Sequence, residues 1–341
     1  MKVRIGVSVQ LGSEKQKFAG AGAMVREIER DGFSTIWVSD EQSLRREMYV
    51  CATVAALNTS TIGINVGPTN PFTRHPAVTA AAVSTLDEVS NGRMQLTVSR
   101  GFSNVENVGL RPALMAQTRE YIRATRALWR DKITTWEGKT IRLTYPNRPP
   151  PKLYLIAEGP KTLRMAGEIA DGVICGMGQN PEVIKATLQY IREGAESVGR
   201  RLEDIDVCMH IRWNIADSWE KAIAPMRGTL ASAAGHALAS GFEGKLVPEE
   251  FQPQILRIQK AYVHAQHGNP DAAQGPLVEE VPGLKEYLAR RFTVAGNVKD
   301  VIKQIEDMAN LGIRYFRFAG GPTDKPKQLK IMAKEVLPHF R

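Results

Sequence analysis

Apolar and polar positions follow two rhythms along the chain. Val3–Val9 alternates apolar with small or polar residues, the period of a strand. Ala21–Arg30 sets Met24, Val25 and Ile28 at helical spacing and stops at Asp31-Gly32, a helix-end signal. Phe33–Ser39 is a short apolar strand before Asp40, and Met48–Leu57 is a helix of small residues. Thr61–Val66 is a β-branched strand, and Pro76–Ser90 an Ala-rich helix ending at Asn91-Gly92. Gln95–Ser99 reads as a strand and Pro112–Trp129 as a helix. The same order returns with strand Leu153–Ala157, helix Lys161–Ala170, strand Gly172–Cys175, helix Pro181–Val198 and strand Asp206–Trp213. Thr293–Val294, the helix Asn297–Asn310 and the strand Tyr315–Phe318 close the series.

Strand and helix thus alternate at intervals of roughly 30 residues without a Pro-rich linker, as right-handed βαβ units on a parallel sheet do. About eight strands in this order predict an α/β protein, a (β/α)8 TIM barrel rather than a doubly wound sheet. Two stretches exceed the minimal barrel. Trp136–Pro151, rich in Pro and polar residues, reads as a long loop or small hairpin. Ala222–Arg291 spans about 70 residues with helical patterns at Phe251–His264 and Leu284–Arg291, too long for a loop without structure of its own. The chain therefore reads as one domain over residues 1–341, with residues 222–291 as a helical insertion. That insertion either covers the C-terminal mouth of the barrel or forms a subunit interface.

Composition narrows the class. Hydrophobic residues at 43% and charged residues at 24% are ordinary for a globular protein. No apolar run approaches the ~18–20 residues of a membrane helix, and MKVRIGVSVQ lacks the apolar core of a signal peptide. A membrane partner is not expected. Cys51, Cys175 and Cys208 are odd in number and far apart, which excludes a disulfide scaffold and a CxxC metal site and suits the cytoplasm. Forty-five basic against 36 acidic side chains give +9. The basic residues are dispersed singly or in pairs such as Arg45-Arg46, without the aromatic-interleaved stripe of a nucleic-acid binder. The excess fits a phosphorylated cofactor, an acidic substrate or plain surface charge.

In a parallel barrel, chemistry sits at the carboxyl ends of the strands. Those ends read Ser8 to Gln10, Asp40-Glu41, Gly67 to Asn70, Arg100 to Asn104, Ala157 to Lys161 and Cys175 to Gly178. The Gly67-Pro68 bond is a candidate cis peptide, since proline lowers the cis cost to about 0.5–1 kcal/mol. From local sequence an ordinary trans turn is equally open. Glu158-Gly159-Pro160 leads from a strand into a helix whose free N–H groups would suit a phosphate, and Gly176-Met177-Gly178 is a second glycine-lined end. There is no GxxxxGK[ST], no GxGxxG after the first strand, no GxSxG and no HExxH. His264 and His267, at i and i+3, read as a surface face rather than a metal site. His75 reads as a helix cap, and Asp87 and Glu88 as solvated.

The run TIGINVGPTNPFTRHPAVTAAAVSTLDEVSNGR, followed by SRGFSN, resembles the bacterial-luciferase-like flavin-dependent oxidoreductases. Within them it is most similar to the methylenetetrahydromethanopterin-reductase-like group. LYLIAEGPKTLRMAGEIADGVI and VAGNVKDVIKQIEDMANLGIRYF carry the same likeness, which covers nearly the whole chain except residues 222–291. The resemblance implies a (β/α)8 barrel binding coenzyme F420, or alternatively FMN, at its C-terminal mouth, with a cis-peptide bulge behind the ring. That bulge falls on Gly67 and Pro68 here. The matching positions imply that Asp40, Thr69 and Asn70 lie near the ring, with Arg100, Gly101 and Phe102 beside it. Glu158-Gly159 and Gly176-Met177 would supply backbone N–H groups to the phosphate, with Ala157 beside them. A homodimer or larger homo-oligomer is implied.

Three positions depart from the family. Many relatives carry Asp-His where this chain has Asp40-Glu41, and often an acid where it has Phe102. Glu158 puts a carboxylate next to the expected phosphate. Glu41 could replace the missing acid/base if burial raises its pKa, with Asp40 beside it. The expectation is an F420-dependent oxidoreductase moving hydride to or from a small organic substrate. A reduced-FMN monooxygenase is the alternative, and a non-catalytic flavin-binding barrel the second.

Overall fold

A computed structural model describes residues 2–11, 17–42, 44–145, 149–266, 269, 271–321 and 324–341. Eleven strands occur among these residues: β1 (Arg4–Val9), β2 (Thr35–Val38), β3 (Gly63–Thr69), β4 (Met94–Val98), β5 (Ile133–Trp136), β6 (Lys139–Arg142), β7 (Lys152–Ala157), β8 (Gly172–Cys175), β9 (Asp206–Ile215), β10 (Thr293–Gly296) and β11 (Tyr315–Phe318). Eight of them, in the order β1-β2-β3-β4-β7-β8-β9-β11, pair in parallel and close on β1. This is the (β/α)8 TIM barrel that the alternating pattern predicts, with β-branched and aliphatic staves such as Val7, Ile36 and Ile64 in register.

The count differs from the sequence expectation at one element. Thr293–Gly296 is not a barrel stave. It pairs with the far half of β9, Thr293 opposite Arg212 and Gly296 opposite Ile215, while the near half of β9 pairs with β8 and β11. A β-prone run of stave length is indistinguishable from a stave until its partner is known. The Trp136–Pro151 stretch begins in the antiparallel hairpin of β5 and β6.

Helices pack the outside of the barrel. Pro76–Val89 starts with Pro76 at its first turn and His75 as cap, whose Nδ1 accepts the Ala77 N–H at 3.2 Å. Asp87 is buried rather than solvated, and it accepts the Met94 N–H at 3.0 Å where the chain turns into β4. Helices Pro160–Ile169 and Pro181–Glu196 approach so closely that a Cβ on Gly194 would lie 1.9 Å from the Arg164 carbonyl oxygen.

Inside the barrel, Trp37, Tyr154, Ile174, Cys208 and Tyr315 form a buried aromatic plug. Tyr154 donates to Asp206 at 2.6 Å, and Tyr315 Oη pairs with Thr35 Oγ1 at 2.8 Å, so their hydroxyls stay partnered. Between β9 and β10 the chain forms helices Trp219–Ile223, Arg227–Ala237, Gln252–Lys260 and Leu284–Phe292. They bury a core of their own, including Leu230, Ile255, Val278 and Leu288. Among the described residues no helix is long and apolar enough to cross a membrane.

Candidate active site

Side chains alternate in and out of a strand, so the inward residues just beyond the aromatic plug define one end of the barrel. They surround a cavity of about 470 Å³ lined by Ser39, Ser99, Glu158, Gly176, His210, Arg212 and Arg317, among others. A larger cavity, about 560 Å³, lies at the opposite end. Two ion pairs lie on its lining, Arg4 with Asp206 and Arg126 with Asp171. It sits at the amino ends of the strands, where parallel barrels do not carry their chemistry.

Eight of the predicted residues line the mouth cavity: Asp40, Glu41, Pro68, Arg100, Gly101, Phe102, Glu158 and Gly176. Asp40 is 2% exposed and is gripped by Arg74 through Nε–Oδ2 at 2.9 Å and Nη2–Oδ1 at 2.8 Å. Gln42 donates to the same carboxylate at 2.7 Å. Glu41 stands 3.2 Å from Arg45. Burial raises its pKa above the usual carboxylate range, against the pull of Arg45 and Arg317. Burial of this kind is what a carboxyl acid/base needs.

The Gly67-Pro68 peptide is cis, and β3 bulges between Val66 and Thr69 relative to β4. Gly67 has φ +125°, and a Cβ there would lie 2.3 Å from the Thr97 carbonyl oxygen, so glycine is required. Thr69 is fully buried behind the bulge. Asn70 is also fully buried and uses its side chain on the following turn, accepting the Phe72 and Thr73 N–H groups at 3.0 Å each. Arg100 is tied to the Ala113 carbonyl at 2.6 Å. Phe102 meets the insertion instead of presenting an acid. Its ring lies 4.5 Å from His236, 5.3 Å from Tyr262 and 5.0 Å from His264. His267 lies outside the described residues, so its spacing from His264 has no structural counterpart here.

Glu158 points into the cavity and pairs with Nδ1 of His236 at 2.7 Å. Burial alone would raise its pKa, but His236, Lys245 and Arg212 outweigh that, and the carboxyl is held below its usual range. Gly176 lacks a side chain where Glu158 lies, since a Cβ there would be 2.6 Å from Glu158 Oε1. Its N–H, expected to be offered to a phosphate, is instead taken by the Ala157 carbonyl at 3.1 Å, because strands β7 and β8 stay paired up to this point. Ala157 and Met177 are buried behind the wall, and the Met177 carbonyl accepts two bonds from Arg291 at 3.0 and 2.7 Å. Gly159 caps the helix Pro160–Ile169, and a Cβ there would stand 3.1 Å from Cε of the buried Lys245. Burial lowers the Lys245 pKa to about 8, partly opposed by Glu158.

Several lining residues escape the strand-end reading: His210, Arg212, Arg317 and His236. The first three carry a sequence signal. His210, Arg212 and Asn214 alternate with Ile211, Trp213 and Ile215, and Arg317 interrupts Tyr315-Phe316-Arg317-Phe318. A charged residue on the inward phase of a barrel strand belongs to the mouth or the floor. His236, within an Ala-rich helix of the insertion, carries no such signal.

The family described as luciferase-like monooxygenase matches residues 1–315. A 5,10-methylenetetrahydromethanopterin reductase of Methanolobus tindarius is 26% identical over 319 residues, covering 91% of this chain and 93% of that one. An F420-dependent glucose-6-phosphate dehydrogenase of Nakamurella multipartita is 30% identical over 278 residues, 78% of this chain and 74% of that one. Among solved structures, the coenzyme F420-dependent tetrahydromethanopterin reductase from Methanopyrus kandleri superposes with a TM-score of 0.80 at 23% identity, covering 100% of both chains.

Proposed function

Since the chain belongs to the luciferase-like monooxygenase family, we propose that it is an oxidoreductase that moves hydride between coenzyme F420 and a small organic substrate in the mouth cavity. The relatives named for F420 support this cofactor over FMN. The observation that carries the reading is the shape of the cavity. The lining includes the apolar Pro68, Phe102, Ile156 and Ile174, on or just after the consecutive strands β3, β4, β7 and β8, which suits a flat ring system. Next to it the helix Pro160–Ile169 starts from Gly159, with Thr162 on the lining, and a helix start suits a phosphate.

In this reading Asp40, Gly67, Pro68, Thr69, Asn70, Arg100, Gly101 and Phe102 hold the ring. Ala157, Glu158 and Gly159 with Gly176 and Met177 form the phosphate end. When bound, the deazaflavin supplies the carbon that takes or gives the hydride. The protein excludes water, fixes the substrate over the ring and handles one proton. Glu41 is the group for that proton, because it lines the cavity and burial raises its pKa. Asp40, held by Arg74, fixes the polypeptide from which Glu41 projects.

The chain works as a homodimer or larger in this proposal. Val50 and Leu57 on helix Met48–Asn58 and Val78 and Val89 on helix Pro76–Val89 are exposed on neighbouring helices, which suits a subunit contact. The buried free thiols of Cys51, Cys175 and Cys208 suit the cytoplasm.

Separate titrations of the protein with F420 and with FMN test the reading, followed by turnover with alcohols, aldehydes and enones. F420 binding with substrate-dependent change of its absorbance is expected. Tight FMN binding without F420 affinity would overturn it in favour of a reduced-flavin monooxygenase. Bound cofactor with no turnover of any acceptor would favour a binding protein.

A further inference from the structure

Besides Arg100, which is tied to the Ala113 carbonyl, the mouth cavity holds two guanidinium groups with no carboxylate in direct contact among the described residues. His210 and Arg212 are both inward residues of β9, and Arg317 on β11 stands directly opposite His210 in the sheet. Arg212 is 8% exposed and Arg317 5%. Neither forms an ion pair within 4.0 Å among the described residues. Arg317 donates to Ser8 Oγ at 3.0 Å, lies 3.3 Å from His210 Nδ1 and covers the Trp37 ring at 5.0 Å. Arg212 has the Phe292 ring at 5.8 Å and no hydrogen bond among the described residues.

The acids that face the cavity have other partners. Asp40 is held by Arg74, Glu41 stands by Arg45, and Glu158 is bonded to His236. Glu158 attracts Arg212, and Glu41 attracts Arg317, only at longer range. Glu106 stands 4.0 Å from His264. On the same side Lys325, which donates to the Ser8 carbonyl, adds a further cation. Burial lowers the pKa of Arg212, and that of Arg317 to about 10, where repulsion from Arg212 adds to the shift. A buried guanidinium with open donors is expensive unless an anion completes it.

Placement decides which anion. Strands β9 and β11 lie across the barrel from β3 and β4, which carry Pro68 and Arg100. The two arginines therefore face the ring side of the cavity from the far wall, where the substrate would lie. We propose that Arg212 and Arg317 form an anion-binding wall that takes a carboxylate of the substrate, which makes that substrate an organic acid. This rests on the F420 reading for the ring's position. The planar fork of a guanidinium matches a carboxylate in a two-bond grip, and Arg212 has its donors open for one.

The test uses acetate, benzoate and cinnamate, each against its neutral amide, titrated into the F420-loaded protein and watched by ligand-observed NMR. The acids are expected to bind about tenfold more tightly than the amides, a preference that Arg212→Gln removes while F420 affinity stays within about threefold. Equal binding of acid and amide, or acid binding unchanged in Arg212→Gln, would overturn the proposal. So would loss of F420 affinity by more than about tenfold in Arg212→Gln, which would assign the arginine to the cofactor's phosphate. If that variant fails to fold, phenylglyoxal labelling of the wild-type protein decides. Benzoate should shield the Arg212 peptide, and unshielded labelling counts against the wall. If the wild-type chain does not bind F420, the F420 reading falls, and the acid-against-amide comparison on the unloaded protein still decides the anion site.

Discussion

Nδ1 of His236 lies 2.7 Å from Oε1 of Glu158, joining the insertion helix Arg227–Ala237 to the end of β7. The same carboxylate offsets Arg212 and Lys245. Glu158→Gln keeps a hydrogen bond to the imidazole and removes the charge that favours those cations at longer range. It should cost about 3 kcal/mol at pH 7, read as a lower urea midpoint. The carboxyl's pKa is depressed in the folded state, so its contribution is present above the ordinary value of about 4.3 and is lost as pH falls through the lower folded value. The two proteins should therefore converge in stability in acid. A constant gap down to pH 3 would contradict this.

Glu41 gives the opposite pH sign. Its folded pKa is raised, so between about 4.3 and that folded value the native state binds more protons than the unfolded state. Stability should fall with rising pH across that window, and Glu41→Gln should remove the slope. The same variant should lower turnover by roughly 10²–10⁴-fold while leaving F420 affinity nearly unchanged. Turnover retained within a few-fold would remove Glu41 from proton transfer.

Lys245 titrates against folding in the alkaline range. Its folded pKa is about 8 against an ordinary value near 10.4, so between those limits the unfolded chain holds the extra proton. The native state therefore gains stability as pH rises from 8 toward 10.4. Subtracting the curve of Lys245→Met should isolate a rise of about 1–3 kcal/mol over that interval. A flat difference would mean that Lys245 is hydrated in solution.

Gly194→Ala tests the closest approach between two outer helices. The added Cβ would meet a backbone carbonyl, Arg164 O at 1.9 Å, which cannot rotate aside. A loss of about 3 kcal/mol is expected, with F420 affinity preserved if the protein is still folded. Thermal unfolding and a cofactor titration on the same preparation check both.

Much of this molecule is visible in its sequence, for identifiable reasons. The outer helices and staves declare themselves because each buries one face, and the two periods differ. Of the first six strand ends, all but Ser8 to Gln10 stand out by a glycine, a proline or paired acids. The last two show only the weaker signal of polar residues alternating within a strand, because His210, Arg212 and Arg317 sit among bulky apolar neighbours that mark the strand as core. Asp87 reads as solvated from its position late in a helix, and only the return of the chain at Met94 buries it. Thr293–Gly296 has a stave's composition, and its place is set by pairing with residues about 80 positions earlier, which no local pattern encodes. His236 reaches the site through the tertiary packing of the insertion alone.

The split pairing of β9 has a consequence for change over time. The chain leaves β9 at Ile215 and returns at Thr293, opposite Arg212, so the excursion begins and ends on one ladder. A parallel crossover needs only a dozen or so residues. Everything beyond that is free to grow, shrink or be exchanged without moving a stave, because the cost of a longer loop rises only logarithmically with its length. The barrel and its strand-end chemistry can therefore stay fixed while the roof is replaced as a cassette, and a graft cut within Ile215 and Thr293 would transplant one protein's cover onto another's hearth.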